Sequence, residues 1–293
     1  MRCSPEVIRN VEVRRGWVFL SLAVCVVLLA GCARAPVSPS VPSPPVAVTA
    51  EELVALLRAR GAAIQTMKAQ FSVEAMGGTI KGTRRMEAAL VYQRPGSVRL
   101  QTFARIGIPV FDLMLAGDHY QVKFPMNGKM MQGRVAELDR QGSQGGLGAP
   151  ITLGLQATLG NLSGFSVSPT DHVALREEGG WYVLDVIPAE VGEAGAHRLW
   201  FDRGTLEVVR QDFLGVAGEL TATIVYQDYR AVGSTTGERF IRPYLVRAED
   251  VRSQAMLVLT FREIVPNPEL TPQDWGSMGS EPQAEHPVPK REG

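Results

Sequence analysis

Residues 94–135 read RPGSVRLQTFARIGIPVFDLMLAGDHYQVKFPMNGKMMQGRV. Their period decides the fold. In HYQVKF (119–124), Tyr120, Val122 and Phe124 alternate with polar residues. SVRLQTFA and VFDLMLA precede it as two further short runs. Gly117-Asp118 suits a tight turn, and Asn127-Gly128 is a strong hairpin signal before KMMQGRV. Successive strand residues point to opposite faces, so a period of two marks a half-buried strand.

The same rhythm extends in both directions. Upstream, AQFSVEA (69–75) puts Phe71, Val73 and Ala75 on one face, and RRMEAALVYQRP (84–95) does so with Met86, Ala88, Leu90 and Tyr92. Downstream come DHVALREEGGWYVLDVIP, HRLWFDRGTLEVVRQDF, GELTATIVYQDYRAV, RFIRPYLVRAE and SQAMLVLTFREIV. Two non-strand segments interrupt the pattern. Thr49 and Glu52 fit a capping box ahead of a helix carrying Leu53, Leu56 and Leu57. In ITLGLQATLGNL (151–162), Leu153, Leu155, Ala157 and Leu159 suit either a strand or a helix; its place between turn-rich stretches favours a short helix. The expected fold is mainly β, of the α+β type. It is a single curved antiparallel sheet of about eleven strands, forming an unclosed half-barrel with one or two covering helices.

The N-terminus sets the compartment. Four Arg precede an apolar run from Gly16 to Ala30, which is shorter than the roughly 20 residues of a bilayer-spanning helix. A basic start, a short apolar run and small residues before a cleavage point describe a signal peptide. Leu29-Ala30-Gly31-Cys32 resembles a bacterial lipobox, which implies cleavage before Cys32 and acylation of its thiol. Cys3 and Cys25 would then be removed, leaving no disulfide to stabilise the fold. The whole chain has 30 basic and 30 acidic residues, and the first 31 hold four Arg and two Glu, so 26 basic face 28 acidic residues in the remainder. That balance excludes a nucleic-acid footprint. The likeness to bacterial lipoproteins, in which Asp after the Cys implies retention in the inner membrane, implies from Ala33 the periplasmic face of the outer membrane instead.

The organisation that follows is a signal peptide (1–31), a lipidated Cys and Pro-rich tether (32–49), a lipid-binding domain (50–265) and a disordered Pro-rich tail (266–293). Pro36, Pro39, Pro42 and Pro45 give the tether polyproline II character, with a reach of up to roughly 50 Å. Trp275 is the one large apolar residue of the tail. It is expected to dock on the domain.

No catalytic or metal constellation emerges. His119, His172, His197 and His286 are far apart, and none has metal-ligand spacing. No G-x-S-x-G elbow is present. The chain is expected to be no enzyme and to need no cofactor. What remains is the inner face of a curved sheet, which is either packed or open to an apolar ligand. The candidate cavity residues are Phe71, Val73, Leu90, Tyr92, Leu100, Tyr120, Val122, Trp181, Trp200 and Phe213, with Tyr226 beside them.

From Phe71 to about Leu162 the order of features resembles the outer-membrane lipoprotein-sorting family of LolA/LolB-like carriers and receptors. The resemblance rests on residues 94–135 and on GAPITLGLQATLG (148–160). It implies an unclosed barrel with a helical lid and a cavity for acyl chains. The lipobox makes the chain resemble the lipid-anchored receptor more than the soluble periplasmic carrier, which would be its partner. ARIGIPV (104–110) occupies the place of the receptor's protruding loop, which implies membrane contact by Ile106, with Ile108 beside it. The tether and the tail depart from the receptor pattern. The expected function is an outer-membrane-anchored lipoprotein that binds acyl chains of lipoproteins or lipids and assists their insertion. The alternatives are a non-catalytic envelope scaffold with a packed core, and a carrier of another lipid or glycolipid.

Overall fold

A computed structural model describes residues 47–78, 80–104, 107–135, 148–162, 164–165, 167–189, 195–235 and 237–276. Cys32, the expected anchor, the Pro-rich stretch to Val46 and the residues beyond Gly276 lie outside the described residues.

The first element is helix α1, Ala50–Ala62. Its start follows from Thr49 and Glu52. The Glu52 amide donates to Thr49 Oγ1 at 3.2 Å, and the Thr49 amide donates to Glu52 Oε2 at 2.8 Å. Each bond satisfies a donor that a helix start otherwise leaves free. Leu53 and Leu57 form its buried stripe.

Six strands follow without interruption: β1 (Thr66–Gly77), β2 (Ile80–Gln93), β3 (Ser97–Phe103), β4 (Pro109–Ala116), β5 (His119–Phe124) and β6 (Lys129–Arg134). Helix α2 spans Gly148–Leu162. Seven more strands complete the sheet: β7 (His172–Glu178), β8 (Trp181–Ile187), β9 (His197–Asp202), β10 (Val208–Leu214), β11 (Leu220–Gly233), β12 (Arg239–Asp250) and β13 (Ala255–Pro266). A four-residue helix, α3, covers Pro272–Trp275.

All thirteen strands lie in one antiparallel sheet, ordered β6-β5-β4-β3-β2-β1-β13-β12-β11-β10-β9-β8-β7. The sheet is not closed: β6 and β7 are its two edges. The strands number thirteen against about eleven expected: the runs DHVALREEGGWYVLDVIP and HRLWFDRGTLEVVRQDF, with turn residues at Gly179-Gly180 and Arg203-Gly204, supply two strands each.

Register makes one face continuously apolar. Leu90, Leu100, Leu113 and Val122 stand side by side across β2 to β5, as do Tyr92, Val98, Leu115 and Tyr120. In the other half Tyr226 pairs with Val246, Val246 with Leu259, and Leu259 with Val73. These residues belong to one core with Leu53 and Leu57 of α1 and Leu153, Leu155 and Ala157 of α2. A side-chain period of two, kept over thirteen strands, gives the sheet this single buried face.

The opposite face carries the charges. Asp112 accepts from Arg99 Nη2 at 2.8 Å and from Gln101 Nε2 at 3.0 Å. Asp212 is buried but fully engaged, by Arg210 Nε at 2.7 Å, Trp200 Nε1 at 3.0 Å and Thr223 Oγ1 at 2.9 Å. A buried carboxylate needs such donors. Residues 267–276 return along the same face: Lys68 pairs with Asp274 at 2.7 Å, and Arg99 Nη1 donates to the Asp274 carbonyl at 3.0 Å.

The topology also dictates where α2 goes. The chain leaves the sheet at one edge, β6, and re-enters at the other, β7. The connection must cross the sheet, and α2 is the part of it that packs on β11, β12 and β13.

Candidate functional site: the helix-filled face of the sheet

The central feature is α2, with the sequence GAPITLGLQATLGNL. It has no charged residue, and Leu153, Leu155, Ala157 and Thr158 are all buried. A helix apolar on more than one side is stable only under cover. Its intrinsic propensity is poor, because Gly154 and Gly160 each cost about 1 kcal/mol relative to Ala. Packing therefore holds it in place. The two glycines let it come close to the sheet. A Cβ on Gly160 would lie 2.6 Å from the Tyr226 hydroxyl oxygen, and one on Gly154 would lie 3.4 Å from Leu257 Cδ1. Thr158 Oγ1 donates back to the Gly154 carbonyl at 2.6 Å, which removes a buried polar group from the balance.

Most of the sequence-derived cavity residues belong to one buried core with residues of this helix and α1. Phe71, Val73, Leu90, Tyr92, Leu100, Tyr120 and Val122 are all buried on the helix-bearing face. Phe71 stacks on Phe261 with centroids 4.8 Å apart. Phe213 is half-buried and packs against the same core. Two residues do not join them. In β8 the buried face is Tyr182, Leu184 and Val186, so Trp181 lies on the opposite side, 37% exposed. In β9 Leu199 and Phe201 point to the core, and Trp200 points away to bond Asp212. The physical reason is that an indole N–H seeks an acceptor, and the charged face supplies one. Ile106 and Cys32 lie outside the described residues; Ile108 is exposed.

Beside α2 lies a small cavity with a volume of about 30 Å³. It lies between Leu57 and Arg60 of α1, Gly160 of α2, and residues of β10 to β12. Arg60 pairs with Glu207 at 2.9 Å. Burial pushes the Glu207 carboxyl up, and Arg60 and Arg242 partly offset this. Burial also pushes the Tyr226 hydroxyl up; it donates to Gln211 Oε1 at 3.3 Å. None of Arg60, Glu207 or Arg242 was marked by sequence reasoning. One signal was available: Arg242-Pro243 sits inside an apolar run, and a proline has no place in a fully paired strand. β13 pairs with β12 only from Leu245 onward, so Pro243 lies where β12 has lost that neighbour.

The two rims of the sheet differ. The turns β3–β4, β5–β6, β10–β11 and β12–β13 share one rim with the β8–β9 connection. Among the described residues ten large apolar side chains are exposed; six lie in this rim's turns or at the strand ends beside them, and Met130 and Met131 follow in edge strand β6. Met126 is 71% exposed and Val216 85%, with Ile108, Ile187 and Val251 alongside. The opposite rim carries polar turns at Arg94, Asp118, Arg203 and Glu238. Separately, an open groove of about 660 Å³ runs between Thr66 and Gln93 and the returning segment, with Trp275 half-buried at its wall.

Among the described residues no group of His, Cys, Asp and Glu could hold a metal ion, and no helix is long and apolar enough to cross a membrane.

No family model matches the sequence, and no curated protein matches it. Solved structures do match in shape. An outer membrane lipoprotein-sorting protein domain from Vibrio parahaemolyticus superposes with a TM-score of 0.55 at 13% identity, over 78% of this chain and 97% of that one. A LolA superfamily protein from Nitrosomonas europaea gives 0.52 at 14% identity, with the same coverage. A DUF1329 family protein from Desulfovibrio piger gives 0.50 at 11% identity, over 76% and 93%. At such identities the likeness is one of fold.

Proposed function

We propose that the chain is a lipid-anchored envelope protein that takes up acyl chains of lipoproteins or lipids on the helix-bearing face and assists their insertion into the outer membrane. The observation that carries this reading is α2, an uncharged helix with Gly154 and Gly160 in its interior, lying on a continuous apolar face. An acyl chain is chemically equivalent to what α2 offers that face. Each buried CH₂ favours the chain by about 0.8 kcal/mol, while α2 is intrinsically weak. Cargo therefore replaces the helix rather than filling a standing void. The printed names of the structural neighbours, a lipoprotein-sorting domain and a LolA superfamily protein, support the same reading.

Cys32 is the anchor in this account, with residues 1–31 as signal peptide and 32–49 as tether. The apolar rim faces the lipid surface, with Ile108 and Met126 among its tips and Ile106 in the same loop as Ile108. A soluble periplasmic carrier is the proposed donor, and the reading is non-catalytic. The finer assignment, receptor rather than carrier, rests on the lipobox alone.

The small size of the cavity beside α2 favours a second reading, an envelope scaffold whose core never opens. A photo-crosslinking residue at Leu90 of the full chain, expressed in an envelope with native lipoproteins, separates the two. Cargo uptake predicts crosslinks to acylated species that added lipid competes away. A scaffold predicts crosslinks only within the chain.

A further inference from the structure

Arg242 of β12 is nine-tenths buried, at 9% exposure. Arginine does not lose its proton in proteins, so this is a permanent charge in a poorly solvated place. Its nearby partners are few. Nη1 donates to the Ile241 carbonyl at 2.7 Å, and the guanidinium carbon lies 5.8 Å from the Phe240 ring centre. Its Nε–H is buried and has no hydrogen-bond partner. The carboxylate facing it is Glu207, which already pairs with Arg60 at 2.9 Å. Two guanidinium groups thus share one carboxylate, and one positive charge is in excess. Both arginines border the cavity of about 30 Å³.

A second arginine shows why the orphan N–H matters only in this setting. Arg203 also has a buried, unpartnered Nε. Its charge, however, is met by Glu177 at 3.1 Å and lies over the Tyr182 ring, and its side chain is 28% exposed. At Arg242 an uncompensated charge, a free donor and a void coincide.

The remaining walls define the ligand further. The Tyr226 and Tyr229 hydroxyls already donate, to Gln211 and to the Val208 carbonyl. Leu57, Phe165 and Val208 are apolar, and Ile241, 43% exposed, marks the outer wall. In so small a cavity a flat, singly charged carboxylate is accommodated more readily than a bulkier tetrahedral phosphate. Guanidinium and carboxylate are also matched in plane and charge.

We propose that this cavity binds a single carboxylate, the acid end of an amphiphile whose apolar part leaves past Ile241, with Arg242 as principal donor and Arg60 as second charge. That the apolar part is an acyl chain rests on the lipid-handling reading; the carboxylate does not. Glu207 competes for the same cations, so it sets how strongly the site attracts a ligand.

The test is titration of the purified full chain with [1-¹³C]decanoate, following the bound carboxyl resonance, with acetate, 1-decanol and inorganic phosphate as competitors. The expected half-saturation rises about tenfold or more in Arg242→Gln, as for a lost charge-assisted hydrogen bond. It falls in Glu207→Gln, which keeps both arginines and carries the test if Arg242→Gln does not fold. Acetate displaces the carboxyl signal; phosphate and 1-decanol do not. A half-saturation unchanged in both variants, or raised in Glu207→Gln, overturns the carboxylate site. So does displacement by phosphate equal to that by acetate. If 1-decanol displaces decanoate equally in wild type and Arg242→Gln, the acyl reading stands and the carboxylate site falls. If acetate binds through Arg242 and decanoate no tighter, the carboxylate site stands and the acyl reading fails.

Discussion

His197 opens β9 on the helix-bearing face, opposite Phe213 and Val186. Burial lowers its pKa, and the nearby Asp171 only partly offsets this. The imidazole therefore stays neutral in the folded protein at a pH where the unfolded chain, with an ordinary value near 6.5, takes up a proton. Below that pH the unfolded state binds more protons, so stability falls with pH. His197→Gln removes this dependence. Denaturant unfolding at pH 7.5 and pH 5 is expected to show wild type losing stability relative to the variant on acidification; a constant difference would contradict the assignment. Gly154 and Gly160 of α2 make an opposed pair. Gly154→Ala meets only the end of Leu257 and gains helix propensity, so it is expected to stabilise by up to about 1 kcal/mol. Gly160→Ala drives a methyl into the buried Tyr226 hydroxyl and is expected to destabilise by about 1–3 kcal/mol, less that same gain. Thermal melts of both variants check the signs.

At the scale of elements, α2 is the part on which function turns. If cargo and helix compete for one face, stabilising the helix must weaken cargo. Gly154→Ala is therefore expected to bind a triacylated lipopeptide about fivefold more weakly, which is its helix gain expressed as affinity. Equal affinity in a variant with a raised melting point would break the link. The strands and this helix were legible in the sequence because alternation and turn residues act locally. Asn127-Gly128 and Gly117-Asp118 both lie between paired strands, and ITLGLQATLGNL is helical. The helix was readable, but that it would fill the apolar face was not. That follows from the crossing between opposite edges, which is a property of strand order. The tryptophans misled for a related reason. In WYVLDVI both faces carry apolar residues, so alternation alone does not say which is inside, and the acceptor that draws Trp200 outward, Asp212, sits on the neighbouring strand. At Arg242 the sequence offered only the neighbouring Pro243 as a sign of incomplete pairing; that β13 is the strand that leaves it follows from the register.

At the scale of the whole molecule, the sheet has an apolar rim and a polar rim, and an apolar ring of loop tips is costly in water unless it meets lipid or a partner. Met126→Glu with Val216→Glu removes two exposed tips without touching the core. The double variant is expected to lose vesicle binding measured by flotation, by about 1 kcal/mol or more per tip, with its melting temperature unchanged. Retained binding would assign the rim to another role. The account as a whole stands on α2 yielding the apolar face to an acyl chain. The most direct measurement is the distance between spin labels carried on unnatural residues at Gln156 of α2 and Glu249 of β12, with and without a triacylated lipopeptide. The account predicts a single short distance without cargo and a population at longer distance that grows with cargo. Cargo bound at saturation with an unchanged distance distribution would contradict it.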